Sequence, residues 1–475
     1  MTFNSFEFFV FLPLVLGAYW LMRRRQQNVL LLVASYVFYG WWDYRFLSLI
    51  AISTLADFGM AQRIQRAVTD RSRKWWLFAS LAVNLGILGF FKYFGFFVES
   101  AARVLEAIGL SVNETTLSIV LPVGISFYTF QTISYTFDVF RRRIEPERNL
   151  ITFGVYVAYF PQLVAGPIER AQNLLPQIQK ERRRPTGFDL WTAAWLILTG
   201  LFKKIVLADG LATIVQERFA DPASHGSLSL VLGVYAFAIQ IYGDFSGYSS
   251  IARGTSRLFG IELMRNFEQP YLSTNITQFW RTWHISLSTW LHDYLYVPLG
   301  GNQRGRRRTY INLMLTMLLG GLWHGAAWTF VVWGGLHGAY LATHRALGAH
   351  EPRGRPDAPG AGDWWRVLLT FHVVGLAWIF FRADGIGQAW DYVVGLSRVG
   401  DLAGPGELTL GATAALVAIM MIATFSLDWV DRNRARFQPL AVWRPLPLGI
   451  AAALMVIGLL VFGGGAPEPF IYFQF

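Results

Sequence analysis

Apolar residues along this chain gather into blocks of roughly 15 to 25 positions, separated by short polar stretches. About 20 helical residues cross the hydrocarbon of a bilayer. The blocks lack the alternating pattern of a half-buried strand, so helices that satisfy their own backbone groups are the expected form. Candidate spans cover 6–22, 28–42, 46–61, 75–98, 117–140, 188–208, 228–250, 310–324, 326–345, 364–382, 409–429 and 444–463. The loops between them sort by charge. Loops 23–25, 63–74, 141–148, 170–184, 304–308, 353–366 and 432–436 are basic. The stretches around Asp43 and over 99–114, 209–227 and 385–407 are much less so. Placing the basic loops in the cytoplasm puts both termini on the other side.

Two segments break the alternation. Residues 151–168 are apolar but flanked by basic loops, with Pro161 and Pro167 inside, and are expected to enter and leave from the cytoplasmic side. Residues 271–299 are rich in Trp yet dotted with polar groups. The Gly/Pro-rich stretch 352–362 reads as a cytoplasmic loop, and the whole chain, 1–475, as a single membrane domain.

Composition agrees with this all-α polytopic reading. Charged residues make up 15% of the chain against about 25% in soluble domains. The 38 Phe, 19 Trp and 19 Tyr divide between interfacial belt and helix packing. The absence of cysteine removes disulfides, thiolate catalysis and cysteine metal sites. The first block follows no basic region and precedes no small-residue cleavage site, so it is expected to be a retained helix. The net charge of +11 sits in the short loops, which orientation explains without nucleic acid.

Candidate chemistry rests on histidines, because an ionisable group at membrane depth is costly. His225, His344 and His350 fall at loops or helix ends, and His337 and His372 read as packing groups within helices. His324 lies in Leu315-Thr-Met-Leu-Leu-Gly-Gly-Leu-Trp-His-Gly-Ala-Ala-Trp328, with Trp323 beside it and Gly320, Gly321 and Gly325 leaving space for a backbone or ligand. A neutral imidazole there can take a proton from a hydroxyl, and can equally be a packed group bonded to a neighbouring helix. His284 sits in 279–292, where a continuous helix would align Thr277, Arg281, His284, Ser288 and His292 on one polar face opposite an aromatic one. That face suits a tunnel wall, or the surface of an interfacial helix. No His/Asp/Glu spacing of a metal site occurs, so no metal is expected.

Three more clusters are polar where lipid would forbid it. Tyr242-Gly-Asp-Phe-Ser-Gly-Tyr248 places Asp244, Ser246 and Tyr248 at the end of a span. Ser126, Gln131 and Asp138 occupy another span, and Gln162 with Gly166-Pro-Ile-Glu-Arg170 ends the interrupted segment. Each serves interhelical hydrogen bonding or, together, a water-accessible cavity.

The chain closely resembles the membrane-bound O-acyltransferase (MBOAT) family, in its alginate O-acetyltransferase-like bacterial branch. The resemblance rests on the opening Met1-Thr-Phe-Asn-Ser-Phe-Glu-Phe, Phe160-Pro-Gln-Leu-Val-Ala-Gly-Pro-Ile168, Phe245-Ser-Gly-Tyr-Ser249, the 279–291 segment, 320–325 and the closing Pro469-Phe-Ile-Tyr-Phe-Gln-Phe475. It covers essentially the whole length. It implies a ring of about 11–12 transmembrane helices around a tunnel, with cytoplasmic re-entrant or interfacial helices. It makes His324 the near-invariant catalytic histidine and His284 the second active-site position. Arg281, Ser288, Asp244, Ser246, Tyr248, Gln162 and Trp323 become candidate substrate or tunnel residues.

The reaction so implied passes an acetyl group from cytoplasmic acetyl-CoA, with no bound cofactor, toward a hydroxyl of an extracytoplasmic polysaccharide, foremost alginate. The setting is the bacterial inner membrane, among its lipids and with a periplasmic acetyltransferase partner. Peptidoglycan or cellulose are alternative acceptors, and D-alanylation of teichoic acid a more distant one. A transporter or flippase is the alternative from another class, since buried polar groups and broken segments serve transport as well. Against it, no inverted repeat relates the halves.

Overall fold

The computed structural model describes residues 1–110, 119–164, 166–348, 359–398, 400–401, 410–432, 445–464 and 468–473. His350, most of the 352–362 linker, 433–436 of the last basic loop and parts of the 99–114 and 385–407 stretches lie outside the described residues. The chain divides into two compact units, one of residues 1–196 and 251–264, the other of 197–250 and 265–475.

The helices in chain order are α1 (Phe6–Leu21), α2 (Arg24–Asp43), α3 (Leu47–Arg66), α4 (Asp70–Leu88), α5 (Phe94–Ala107), α6 (Ile125–Phe140), α7 (Leu150–Ala158), α8 (Phe160–Leu163), α9 (Ala171–Gln179) and α10 (Gly187–Phe202). They continue with α11 (Gly210–Ala220), α12 (Ser227–Leu258), α13 (Ile276–Thr282), α14 (Ile285–Leu291), α15 (Gly305–His324), α16 (Trp328–Ala346), α17 (Trp364–Arg382), α18 (Ile386–Leu396), α19 (Leu410–Arg432) and α20 (Pro445–Phe462). No strand occurs among the described residues. Helix starts follow local chemistry: the side chains of Ser5, Thr69, Asn149 and Asn275 accept from backbone N–H groups three residues on.

Among the described residues, five helical stretches are long and apolar enough to cross a membrane: Asp70–Ala107, Gly187–Ala220, Ser227–Leu258, Trp364–Arg382 and Leu410–Asp431. The shortest, at 19 residues, extends about 28 Å, close to the hydrocarbon thickness. The first two are continuous through π-helical turns at Gly89–Tyr93 and Lys203–Asp209.

Several boundaries differ from the sequence expectation. The helix expected within 117–140 starts at Ile125, because Gly124 has φ +73° and a Cβ there would lie 2.7 Å from the Leu163 carbonyl oxygen. The 151–168 segment splits into α7 and α8 at Tyr159, with ψ 109°. Helix α12 runs 32 residues, so Asp244 and Ser246 lie within it and not at a span's end. The 279–291 stretch is two short helices, so Arg281, His284 and Ser288 do not share one continuous helical face.

Several polar groups among the apolar helices of the first unit bond one another. Asp57 on α3 accepts from Ser80 Oγ at 2.5 Å and Asn84 Nδ2 at 2.8 Å on α4, and Thr132 of α6 donates to Asn84 at 3.1 Å. A carboxyl so placed ties three helices together without exposing a charge to lipid.

Candidate active site

His324 is the last residue of α15, and its position is set by how closely α15 meets α16. A Cβ on Gly321 would lie 2.2 Å from the Phe330 carbonyl oxygen, and one on Gly334 would lie 2.3 Å from that of Met317. The two glycines therefore let the backbones touch, as small residues do between membrane helices. Gly325 follows in extended backbone, and a Cβ there would sit 2.0 Å from the Phe330 ring. This turn leaves the His324 imidazole between Trp323 and Trp333, with ring centres 5.0 Å from each, and 5.3 Å from Phe381 of α17.

His284 is placed by strain and by a remote asparagine. It takes φ 41°, ψ 56°, a left-handed conformation that costs a histidine about 1–3 kcal/mol and must be held by its surroundings. The hold comes from Asn266. Its carbonyl accepts the Ile285 N–H at 2.8 Å, its Oδ1 accepts from Ser286 Oγ at 2.6 Å, and its Nδ2 donates to Ser249 at 3.0 Å. Thr282 O also accepts the Glu268 N–H at 3.0 Å. The left-handed step turns the His284 side chain onto Phe245 of α12 at 4.6 Å and Trp323 at 5.8 Å, fully buried.

The two imidazole centres are 6.3 Å apart. Tyr472 completes the group, 5.5 Å from His324, 6.4 Å from His284 and 4.7 Å from Phe245. It lies on the 468–472 segment, whose Phe470 packs 4.4 Å from Tyr248. Asp244 reaches the same segment, accepting the Ile471 N–H at 2.6 Å, and pairs with Lys204 at 3.0 Å.

Of the residues singled out from sequence, His324, His284 and Trp323 meet directly, and Tyr248 and Asp244 reach the site through 468–472. Ser246 is buried within α12. Ser288 bonds its own chain at the Trp283 carbonyl, 3.1 Å away, and Arg281 is half-buried near the end of α13. Gln162 belongs to the first unit, where it donates to Gln131. Nearby in that unit, Glu169 accepts from Asn173 and the Met264 N–H, yet burial pushes its carboxyl up to about 7. His337 accepts from Trp280 at 3.2 Å and stacks on Phe279, a packing role as expected. His372 bonds Tyr235 at 2.6 Å.

Sequence reasoning missed Tyr472, Phe245, Trp333, Phe381 and Lys204 as neighbours of the site. Lys204 carried a local signal, a charge inside the apolar block 188–208, and Phe245 and Tyr472 stand in segments on which the family resemblance rests.

Two imidazoles with centres 6.3 Å apart and walled by aromatic rings can serve two oxygens held between them. One can accept a hydroxyl proton while the other donates to a carbonyl oxygen gaining charge.

Comparison with known proteins extends this geometry. The model of the membrane-bound O-acyltransferase family matches residues 140–353, which include both histidines. The chain is 40% identical to the probable alginate O-acetylase AlgI of Pseudomonas putida, with 100% of each chain covered. It is 44% identical to that of Pseudomonas aeruginosa over 82% of this chain and 74% of the other. It is 30% identical to the peptidoglycan O-acetyltransferase of Helicobacter pylori, covering 100% of this chain and 98% of that one. Similarity sustained from end to end to membrane enzymes of one reaction type makes this chain a member of the membrane-bound O-acyltransferase family and an O-acyltransferase.

Proposed function

We propose that this protein moves an acetyl group from cytoplasmic acetyl-CoA toward hydroxyls of an extracytoplasmic polysaccharide, alginate, and that His324 and His284 carry the transfer. The observation behind this reading is the paired imidazoles, 6.3 Å apart and buried among aromatic rings. The acceptor and the acetyl group follow the names of relatives that match most of the chain at 40–44% identity.

In this mechanism His324 takes the proton of the acceptor hydroxyl as its oxygen attacks the thioester carbonyl carbon. His284 donates to the oxygen that gains charge. The carbon–sulfur bond then breaks, and the thiolate leaves with the proton held on His324. Trp323, in ring contact with both histidines, keeps water from the thioester. Basic cytoplasmic loops meet the donor's phosphates. The protein works in the inner membrane with both termini periplasmic, and a periplasmic acetyltransferase completes delivery to the polymer.

The test is transfer of labelled acetyl from acetyl-CoA in reconstituted vesicles. His324→Ala should lower transfer by at least about 10²-fold while membrane levels stay unchanged. Unchanged transfer in that variant refutes the assignment, and movement of a substrate with no thioester consumed points to a transporter. The full-length similarity to a peptidoglycan O-acetyltransferase supports a second acceptor, so alginate and peptidoglycan are supplied in parallel.

A further inference from the structure

Lys204 does not touch the imidazoles, yet its bonding reaches them. It lies in the π-helical turn Lys203–Asp209 between α10 and α11. In an α-helix, residues i and i+5 are about 140° apart around the axis. In the i→i+5 register of a π-turn they stand one turn apart. The turn thereby brings Asp209 to Lys204, Oδ1 to Nζ 2.8 Å. Opposite, α12 approaches through Gly243 and Gly247, where a Cβ would lie 2.9 Å from the Lys203 carbonyl oxygen and 2.7 Å from that of Gly200. That close approach places Asp244 3.0 Å from the same Nζ.

The ammonium has three donors. Asp209 and Asp244 form ion pairs with it at 2.8 and 3.0 Å, and the Glu468 carbonyl oxygen accepts a hydrogen bond from it at 3.0 Å. The second oxygen of Asp244 accepts the Ile471 N–H at 2.6 Å. The 468–472 segment is thus held at two backbone points three residues apart, by groups that are themselves buried. Between and beyond these points its rings dock, Phe470 on Tyr248 and Tyr472 on Phe245 beside both histidines.

We propose that Lys204, Asp244 and Asp209 form a buried clamp that docks the 468–472 segment, so that Lys204 and Asp244 are positioning residues for the active site, acting through the placement of Tyr472. This rests on the proposed function for its catalytic consequence but not for the docking itself. Both backbone contacts are main-chain groups, so the clamp fixes where the segment lies whatever its side chains do. Removing the ammonium leaves the buried Asp244 and the partly buried Asp209 without their counter-ion and frees Glu468 O, which favours release of the segment.

The chain's lack of cysteine supplies the test. Ile471 is 4% exposed, so an Ile471→Cys reporter should react slowly with a maleimide in membranes. In the same background Lys204→Met should raise the labelling rate at least about tenfold, and Asp244→Asn should raise it less, with Lys204→Arg close to the parent. Acetyl transfer read in parallel should fall in kcat with little change in KM for the donor, and Lys204→Arg should rescue both readouts. Equal labelling in the parent, Lys204→Met and Asp244→Asn overturns the clamp, as does rapid labelling in the parent. If Lys204→Met does not accumulate, Asp244→Asn decides. Absent transfer in the parent, with labelling that still depends on Lys204, overturns the proposed function and leaves the clamp standing.

Discussion

Gly321→Ala separates two physical effects of opposite sign. In an isolated helix the substitution stabilises by about 1 kcal/mol, because glycine loses more backbone entropy on folding. In this protein the new Cβ would lie 2.2 Å from the Phe330 carbonyl oxygen and 3.1 Å from its carbonyl carbon. A tolerable contact needs roughly 3.2 Å or more, so α15 and α16 must part by about 1 Å. Both obstructing atoms are backbone, which no side-chain rotation relieves. His324 is three residues further along α15, so the shift is passed to the imidazole. A misplacement of about 1 Å costs about 10²-fold in rate, and overpacking costs about 1–3 kcal/mol, which cancels or outweighs the propensity gain. Gly335→Ala is the control: its Cβ would meet Leu318 Cδ2 at 3.5 Å, an ordinary contact, so propensity should win there. The assays are acetyl transfer per mole of membrane protein and the thermal midpoint of the solubilised protein. Gly321→Ala with parental activity and a raised midpoint would refute the packing argument, as would equal damage from Gly335→Ala.

Two further outcomes are expected. His284→Asn should retain more transfer activity than His284→Ala, since asparagine tolerates the left-handed φ of 41° and keeps a hydrogen-bonding side chain; the reverse order in the vesicle assay would count against both arguments. Glu169, held up at about 7 against an ordinary 4.5, binds its proton more tightly folded than unfolded, so the protein should lose stability as pH rises from 4.5 through 7, by about 3 kcal/mol in all. Glu169→Gln should flatten the thermal midpoint across that window, and a midpoint that still falls in the variant would rule Glu169 out as the cause.

The parts of this protein legible in its sequence are those whose cause is local. A block of apolar residues long enough to span hydrocarbon announces itself wherever it folds, as 364–382 does. His324 and Trp323 stood out because a titratable ring inside such a block is costly, and the glycines around them already suggested close approach. His284 was harder. The spacing of polar and aromatic residues over 276–291 fits one helix, and nothing local indicates the left-handed break. That break is held by Asn266, ten residues before Ile276, through bonds to Ile285, Ser286 and Ser249. With the helix broken, the single face proposed for Arg281, His284 and Ser288 does not exist. Gln162, grouped with the others only as a polar residue in an apolar stretch, belongs to the first unit and bonds Gln131 there.

By itself, then, the sequence determined a helical membrane protein, the places of the five long apolar helices, and one histidine set where a titratable group is expensive. Hydrophobic length and desolvation act on each segment independently, so neighbours far along the chain are not needed to read them. Only the tertiary structure decided which rings face His324. Tyr472 is 148 residues away, His284 approaches from another element with Phe245 against it, and the Lys204 ammonium joins the 203–209 turn, α12 and the 468–472 segment at a single atom. Such contacts depend on where glycines let backbones close and where buried charges find partners, and both are settled only when separate helices meet.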